Sequence, residues 1–92
     1  MNHRQIAIEL FQNYPNPFNP STTISYQLSA ASYVTLKIYD ILGRVVTTLV
    51  NKYEAAGSYN VTFNASNLAS GVYIYQLRSG NFTASKKLLL MK

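Results

Sequence analysis

Apolar and polar residues alternate with period two along most of the chain. In Thr23–Leu28, Ile24, Tyr26 and Leu28 take one face and Thr23, Ser25 and Gln27 the other. In Tyr33–Tyr39, Val34, Leu36 and Ile38 oppose Tyr33, Thr35, Lys37 and Tyr39. Tyr59, Val61 and Phe63 alternate with Asn60, Thr62 and Asn64. Successive side chains of a strand point to opposite faces, so each stretch reads as a strand with one buried face. Val45–Val50 is mostly β-branched, which favours a strand. Val72–Leu77 is a nearly unbroken apolar run and predicts a central strand buried on both sides. Phe82–Met91 reads as a last strand and Ile6–Phe11 as a short first one. The pattern predicts about seven strands and no helix.

Turn chemistry falls between these stretches. Asp40-Ile41-Leu42-Gly43-Arg44 joins two strands, with Gly43 where a positive φ is wanted. Ser79-Gly80-Asn81 is a second hairpin signal. Asn51–Gly57 reads as a longer connection, and Asn64–Gly71 as a crossover between sheets. Strands at this spacing predict an all-β fold, an Ig-like antiparallel β-sandwich with Greek-key connections. Leu68-Ala69-Ser70-Gly71-Val72-Tyr73 has two readings. Either the Tyr73 hydroxyl bonds back to the preceding loop, as in a tyrosine corner, or Tyr73 is one more core aromatic with its hydroxyl at the rim.

Two stretches break the alternation. Asn13-Tyr14-Pro15-Asn16-Pro17-Phe18-Asn19-Pro20-Ser21 loses three backbone donors to proline, so it cannot be a central strand. It reads as a rigid connection whose Tyr14 and Phe18 are apolar anchors, or as a preorganised surface for a receptor. At the other end, Leu88 and Leu90 point one way while Leu89 and Met91 point the other. Lys86 and Lys87 before them are charges of the kind that protect a sheet edge. Either the fold covers both faces, or the strip is offered to a partner that adds a strand or to a second copy of the chain.

Composition narrows the chemistry. With 92 residues, 48% of them hydrophobic, the chain has one core and material for one domain. The absence of cysteine excludes disulfide scaffolds, thiol catalysis and Cys-ligated zinc. Eight Lys and Arg against three acids give a net charge of +5. They are scattered along the chain, with only Lys86 and Lys87 adjacent, which argues against nucleic acid. They read first as a thin scatter of solubilising charges, with a negatively charged cell surface or lipopolysaccharide as a general partner that would suit them. Glu9 precedes the first strand, Asp40 closes a strand at a tight turn, and Glu54 and Tyr53 fall in a loop. The single histidine, His3, lies in a polar tip, so no Ser-His-Asp set or His-rich metal site can be assembled. Neither catalysis nor a cofactor or metal is expected. Tyr33 and Tyr39, with Lys37 between them, invite stacking on sugars, although exposed tyrosines also pair across strands for stability. No apolar run approaches the length of a membrane span. Met1-Asn2-His3-Arg4-Gln5 lacks the apolar stretch of a secretory signal peptide, so the expectation is a cytoplasmic chain or a piece whose targeting segment lies upstream.

Five stretches in order resemble the type A C-terminal sorting domain of the type IX secretion system: Gln12–Ile24 (QNYPNPFNPSTTI), Ile38–Val46 (IYDILGRVV), Ala56–Phe63 (AGSYNVTF), Leu68–Leu77 (LASGVYIYQL) and Gly80–Lys92 (GNFTASKKLLLMK). The resemblance covers Glu9–Lys92, leaving residues 1–8 as a tail or linker from a cargo. It implies a domain that directs a fused cargo across the outer membrane, by way of the periplasm, to the cell surface or medium. It implies as partners the outer-membrane translocon, a sortase-type peptidase that cuts upstream, and the cargo itself. The family's motif positions fall on Asn16, Pro17, Gly43, Gly71, Tyr73, Lys86 and Lys87, with the last strand through Leu88 and Leu90 as the expected recognition element. The alternative is an extracellular adhesion or self-assembly module.

Overall fold

The computed structural model describes residues 7–92; His3, and Ile6 of the expected first strand, lie outside them. Seven strands follow one another: β1 (Ile8–Leu10), β2 (Ser21–Leu28), β3 (Ser32–Tyr39), β4 (Val45–Glu54), β5 (Gly57–Asn64), β6 (Gly71–Ser79) and β7 (Phe82–Leu90). They form two antiparallel sheets, one of order β1-β2-β5 and one of order β4-β3-β6-β7. The chain changes sheet after β2, β4 and β5, which gives the Ig-like Greek-key sandwich that the alternation predicts. The fourth strand pairs with β3, whereas in constant-type immunoglobulin domains it lies in the other sheet.

The alternation chooses the buried faces. Ile24, Tyr26, Val34, Leu36, Ile38, Tyr75 and Leu77 meet between the sheets, and Phe63 closes the same core. Each such side chain contributes about 1.5–3 kcal/mol on leaving water, which is enough to set strand register.

Three expectations change. β6 is central but has one buried face, because only the sandwich interior covers it: Tyr73, Tyr75 and Leu77 point inward, while Val72 and Arg78 are exposed. β4 runs on through Asn51–Glu54, so Tyr53 and Glu54 are strand residues, and the connection shrinks to Ala55 and Ala56. Glu9 lies within β1. Glu54 is buried, and its Oε1 accepts a 2.5 Å hydrogen bond from the Tyr26 hydroxyl. A buried carboxylate needs such a partner. Burial, reinforced by that bond to Glu54, raises the Tyr26 phenol far above its ordinary range.

Both readings of Tyr73 hold together. The residue is 8% exposed, and its hydroxyl donates to the Ala69 carbonyl at 2.7 Å. The device occurs twice, since the Tyr59 hydroxyl donates to the Ala55 carbonyl at 2.6 Å. Each tyrosine stands two residues after a glycine with φ of 150°, Gly57 and Gly71. Side chains rarely adopt that backbone, so Ala-x-Gly-x-Tyr is a strand-entry motif with a physical basis.

Candidate functional site

β7 is an edge strand, yet its C-terminal half is not bare. The segment between β1 and β2 lies along it. The Phe18 N–H donates to the Leu89 carbonyl, and the Met91 N–H to the Phe18 carbonyl, both at 3.0 Å. The Asn16 Oδ1 accepts from the Leu89 N–H at 2.9 Å. The Gln12 Nε2 donates to the Lys87 carbonyl at 2.8 Å. Prolines at 15, 17 and 20 deny this segment the donors of a full strand. It therefore satisfies the edge with one backbone residue, Phe18, and two side-chain amides.

Asn13 and Tyr75 hold the cover down. The Asn13 N–H donates to the Tyr75 hydroxyl at 2.9 Å, and that hydroxyl donates to the Phe11 carbonyl at 2.7 Å. The Asn13 Nδ2 donates to Thr22 Oγ1 at 3.0 Å and to the Pro15 carbonyl at 3.1 Å. Burial pushes the Tyr75 phenol up to about 12, against a smaller lowering by the Asn13 N–H. The Phe18 ring, 2% exposed, enters the core 6.0 Å from the Phe63 ring. At the chain terminus the Lys92 N–H donates to Ser70 Oγ at 3.0 Å and its ammonium to the Ser66 carbonyl at 2.7 Å.

These contacts bring together Asn16, Pro17, Gly71, Tyr73, Lys87, Leu88 and Leu90: Leu90 lies opposite Gly71, and Leu88 opposite Tyr73. The Leu88 and Leu90 side chains are core, at 1% and 0% exposure. They hold the strand in place. Lys87 points out, whereas Lys86 is half-buried on the inward side beside Tyr75. Gly43, with φ of 83°, stays apart in the β3–β4 turn. There Asp40 accepts N–H bonds from Leu42 and Arg44 and pairs with the Arg44 guanidinium at 2.9 Å. The Arg44 N–H, more than any other group, holds the Asp40 carboxyl below its usual range. Because Tyr39 stands beside Ile74, the turn reaches past Val72 toward the chain terminus. Ile41 and Leu42 (each 73% exposed), Val72 and Met91 thus give this end an apolar surface.

Gln12, Asn13, Phe18, Thr22 and Tyr75 do more here than their places in the sequence suggested. One signal was available: Gln12-Asn13 opens the proline-rich motif with two amides, residues that suit an irregular strand edge. Among the described residues, no group of three His, Cys, Asp or Glu could hold a metal ion.

Residues 12–91 match the family described as secretion system C-terminal sorting domain. The chain is 35% identical over 79 residues to an endo-acting ulvan lyase of Formosa agariphila, an alignment covering 86% of this chain and 14% of that protein. The match thus runs from the first residue of the edge cover to the last of the apolar end, and the chain belongs to the secretion system C-terminal sorting domain family, the C-terminal signals that direct proteins through type IX secretion, by way of the periplasm, to the cell surface or beyond.

Proposed function

We propose that this chain is the sorting tail of an upstream cargo and that the export machinery reads it as a folded unit, at the end of the sandwich where Ile41, Leu42, Val72 and Met91 are exposed. The observation that carries this reading is the covered β7 edge. The last strand is half of a completed contact, so the surface around it, and not the strand alone, is what a partner meets. An outer-membrane translocon is the proposed reader, and a sortase-type peptidase is proposed to cut upstream of the sandwich. The likeness to one-seventh of a lyase supports a module that rides on a larger protein. A role as a signal with no reaction of its own is part of this proposal, and what supports it is that the three acids lie apart in the fold, one engaged by Arg44, one by Tyr26 and one on β1.

The test fuses residues 1–92 to a periplasmic reporter in a host with type IX secretion. The parent should reach the cell surface. Ile41→Asp with Leu42→Asp should abolish display while the purified chain melts as the parent does, because both side chains are in water. Retention of the parent in the periplasm would end the sorting reading, and normal display of the variant would remove this end as the surface read. Deleting residues 86–92 is less informative. It strips Leu88 and Leu90, each worth roughly 2–5 kcal/mol, from a domain of this size held by about 5–14 kcal/mol, and so tests folding.

A further inference from the structure

The outer face of the four-stranded sheet changes character along its length. Beyond its apolar end, Tyr33 and Tyr53 lie directly opposite one another on β3 and β4, at 53% and 67% exposure. Neither ring takes part in an aromatic pair among the described residues. The Tyr33 hydroxyl donates to Asn51 Oδ1 at 2.7 Å, which leaves the Asn51 NH₂ group turned to solvent. Lys37 and Arg78 follow on β3 and β6, and Lys87 on β7, all with outward parity. Strand spacing and rise place these three cations roughly 8–14 Å apart.

Among the described residues no carboxylate offsets them. Glu54 points inward to Tyr26, Asp40 is held by Arg44 in its turn, and Glu9 lies on the other sheet. The face therefore joins two uncovered aromatic rings, a free amide and three unneutralised cations, with Thr35 and Gln76 between them.

We propose that this face binds an acidic polysaccharide, a glycan carrying carboxylate or sulfate groups. The apolar faces of sugar rings stack on Tyr33 and Tyr53, using flat apolar bodies with polar tips. Ring hydroxyls accept from the Asn51 amide. The Arg78 guanidinium takes an acidic group with its planar fork, and Lys37 and Lys87 take others as point charges. An open sheet face suits an extended chain. Nucleic acid asks for a denser basic stripe, and an acidic protein surface would leave the two rings unused. This inference does not depend on sorting and is tested on the purified chain alone.

The test measures binding of residues 1–92 to polygalacturonate, to neutral dextran of equal length, to poly-glutamate and to oligothymidylate. Polygalacturonate should bind, more weakly as salt rises, and the other three should not bind measurably. Tyr33→Ala with Tyr53→Ala, and separately Arg78→Gln, should each weaken binding roughly tenfold; the first lowers the melting temperature slightly through the lost cross-strand pair, the second leaves it unchanged, and both remain folded at the binding temperature. Absence of polygalacturonate binding overturns the proposal. So does equal binding of poly-glutamate or oligothymidylate, and so does a tyrosine double variant that binds as the parent does, which would show ion exchange alone.

Discussion

The two edges of the four-stranded sheet solve the same problem in opposite ways. At β4 the pairing with β3 slips between Leu36 and Lys37 and again between Ile38 and Tyr39, leaving Leu49 and Val46 unpaired as bulges. Bulges bend and twist an edge away from further pairing. At β7 the register with β6 is unbroken over nine pairs, and a segment more than 70 residues earlier in the chain supplies the cover, as in the Asn16–Leu89 bond. One edge is protected by its own irregularity and the other by distant sequence. Damage at the first should stay local, whereas damage at the second should reach the core and the terminus together.

The largest expected effect separates them at once. Phe18→Ala should cost roughly 3–5 kcal/mol, since it empties a buried site against Phe63. Leu49→Ala, at a half-buried bulge, should cost less than about 2 kcal/mol. Urea melts of both variants measure this, and equal losses would break the contrast. Phe63→Ala should fall in the Phe18 range, and the double variant should cost less than the sum, because the rings share one space. Tyr75→Phe comes next. It leaves the Asn13 N–H and the Phe11 carbonyl without their partner, for roughly 2 kcal/mol, and amide exchange at Asn13, Leu89 and Met91 should quicken together. If only Asn13 responds, the cover and the strand are not coupled.

Alkali sharpens the same point. The Tyr75 phenol stands at about 12 in the folded chain against 10.0 in the unfolded, and Tyr26 is raised further. Both therefore contribute stability that is complete below about pH 10 and is lost as pH rises through the folded values, with Tyr75 accounting for on the order of 2 kcal/mol. Tyr75→Phe should flatten the part of this slope between about pH 10 and 12. The smallest effect belongs to Asp40. Its carboxyl is depressed, so its contribution is present above about pH 4 and is lost on acidification. Asp40→Asn should melt slightly below the parent at neutral pH and together with it in strong acid, with no effect at either sheet edge.

Where structure follows from neighbours, it was legible before coordinates. The inward faces of β2, β3 and β5, the Gly43 turn and the hydroxyl of Tyr73 all follow from residues within one strand or turn. The polar run Asn51-Lys52-Tyr53-Glu54 reads as a connection, and what draws Glu54 inward is Tyr26, 28 residues away. The apolar run of β6 reads as buried on both faces, because sequence cannot show that no second layer covers it. The proline-rich motif reads as rigid, but its task does not show in sequence. An amide that completes a strand edge looks no different in sequence from one in water, and the bond from Asn13 to Tyr75 spans 62 residues.

The cover over β7 also sets an order of events. The backbone and amide bonds that Gln12, Asn16 and Phe18 make to the edge end at Lys87, Leu89 and Met91, so a ribosomal product that stops short of these positions lacks the strand that this segment covers. The finished sandwich thus records that synthesis has passed Met91, because its β7 edge stays uncovered until then.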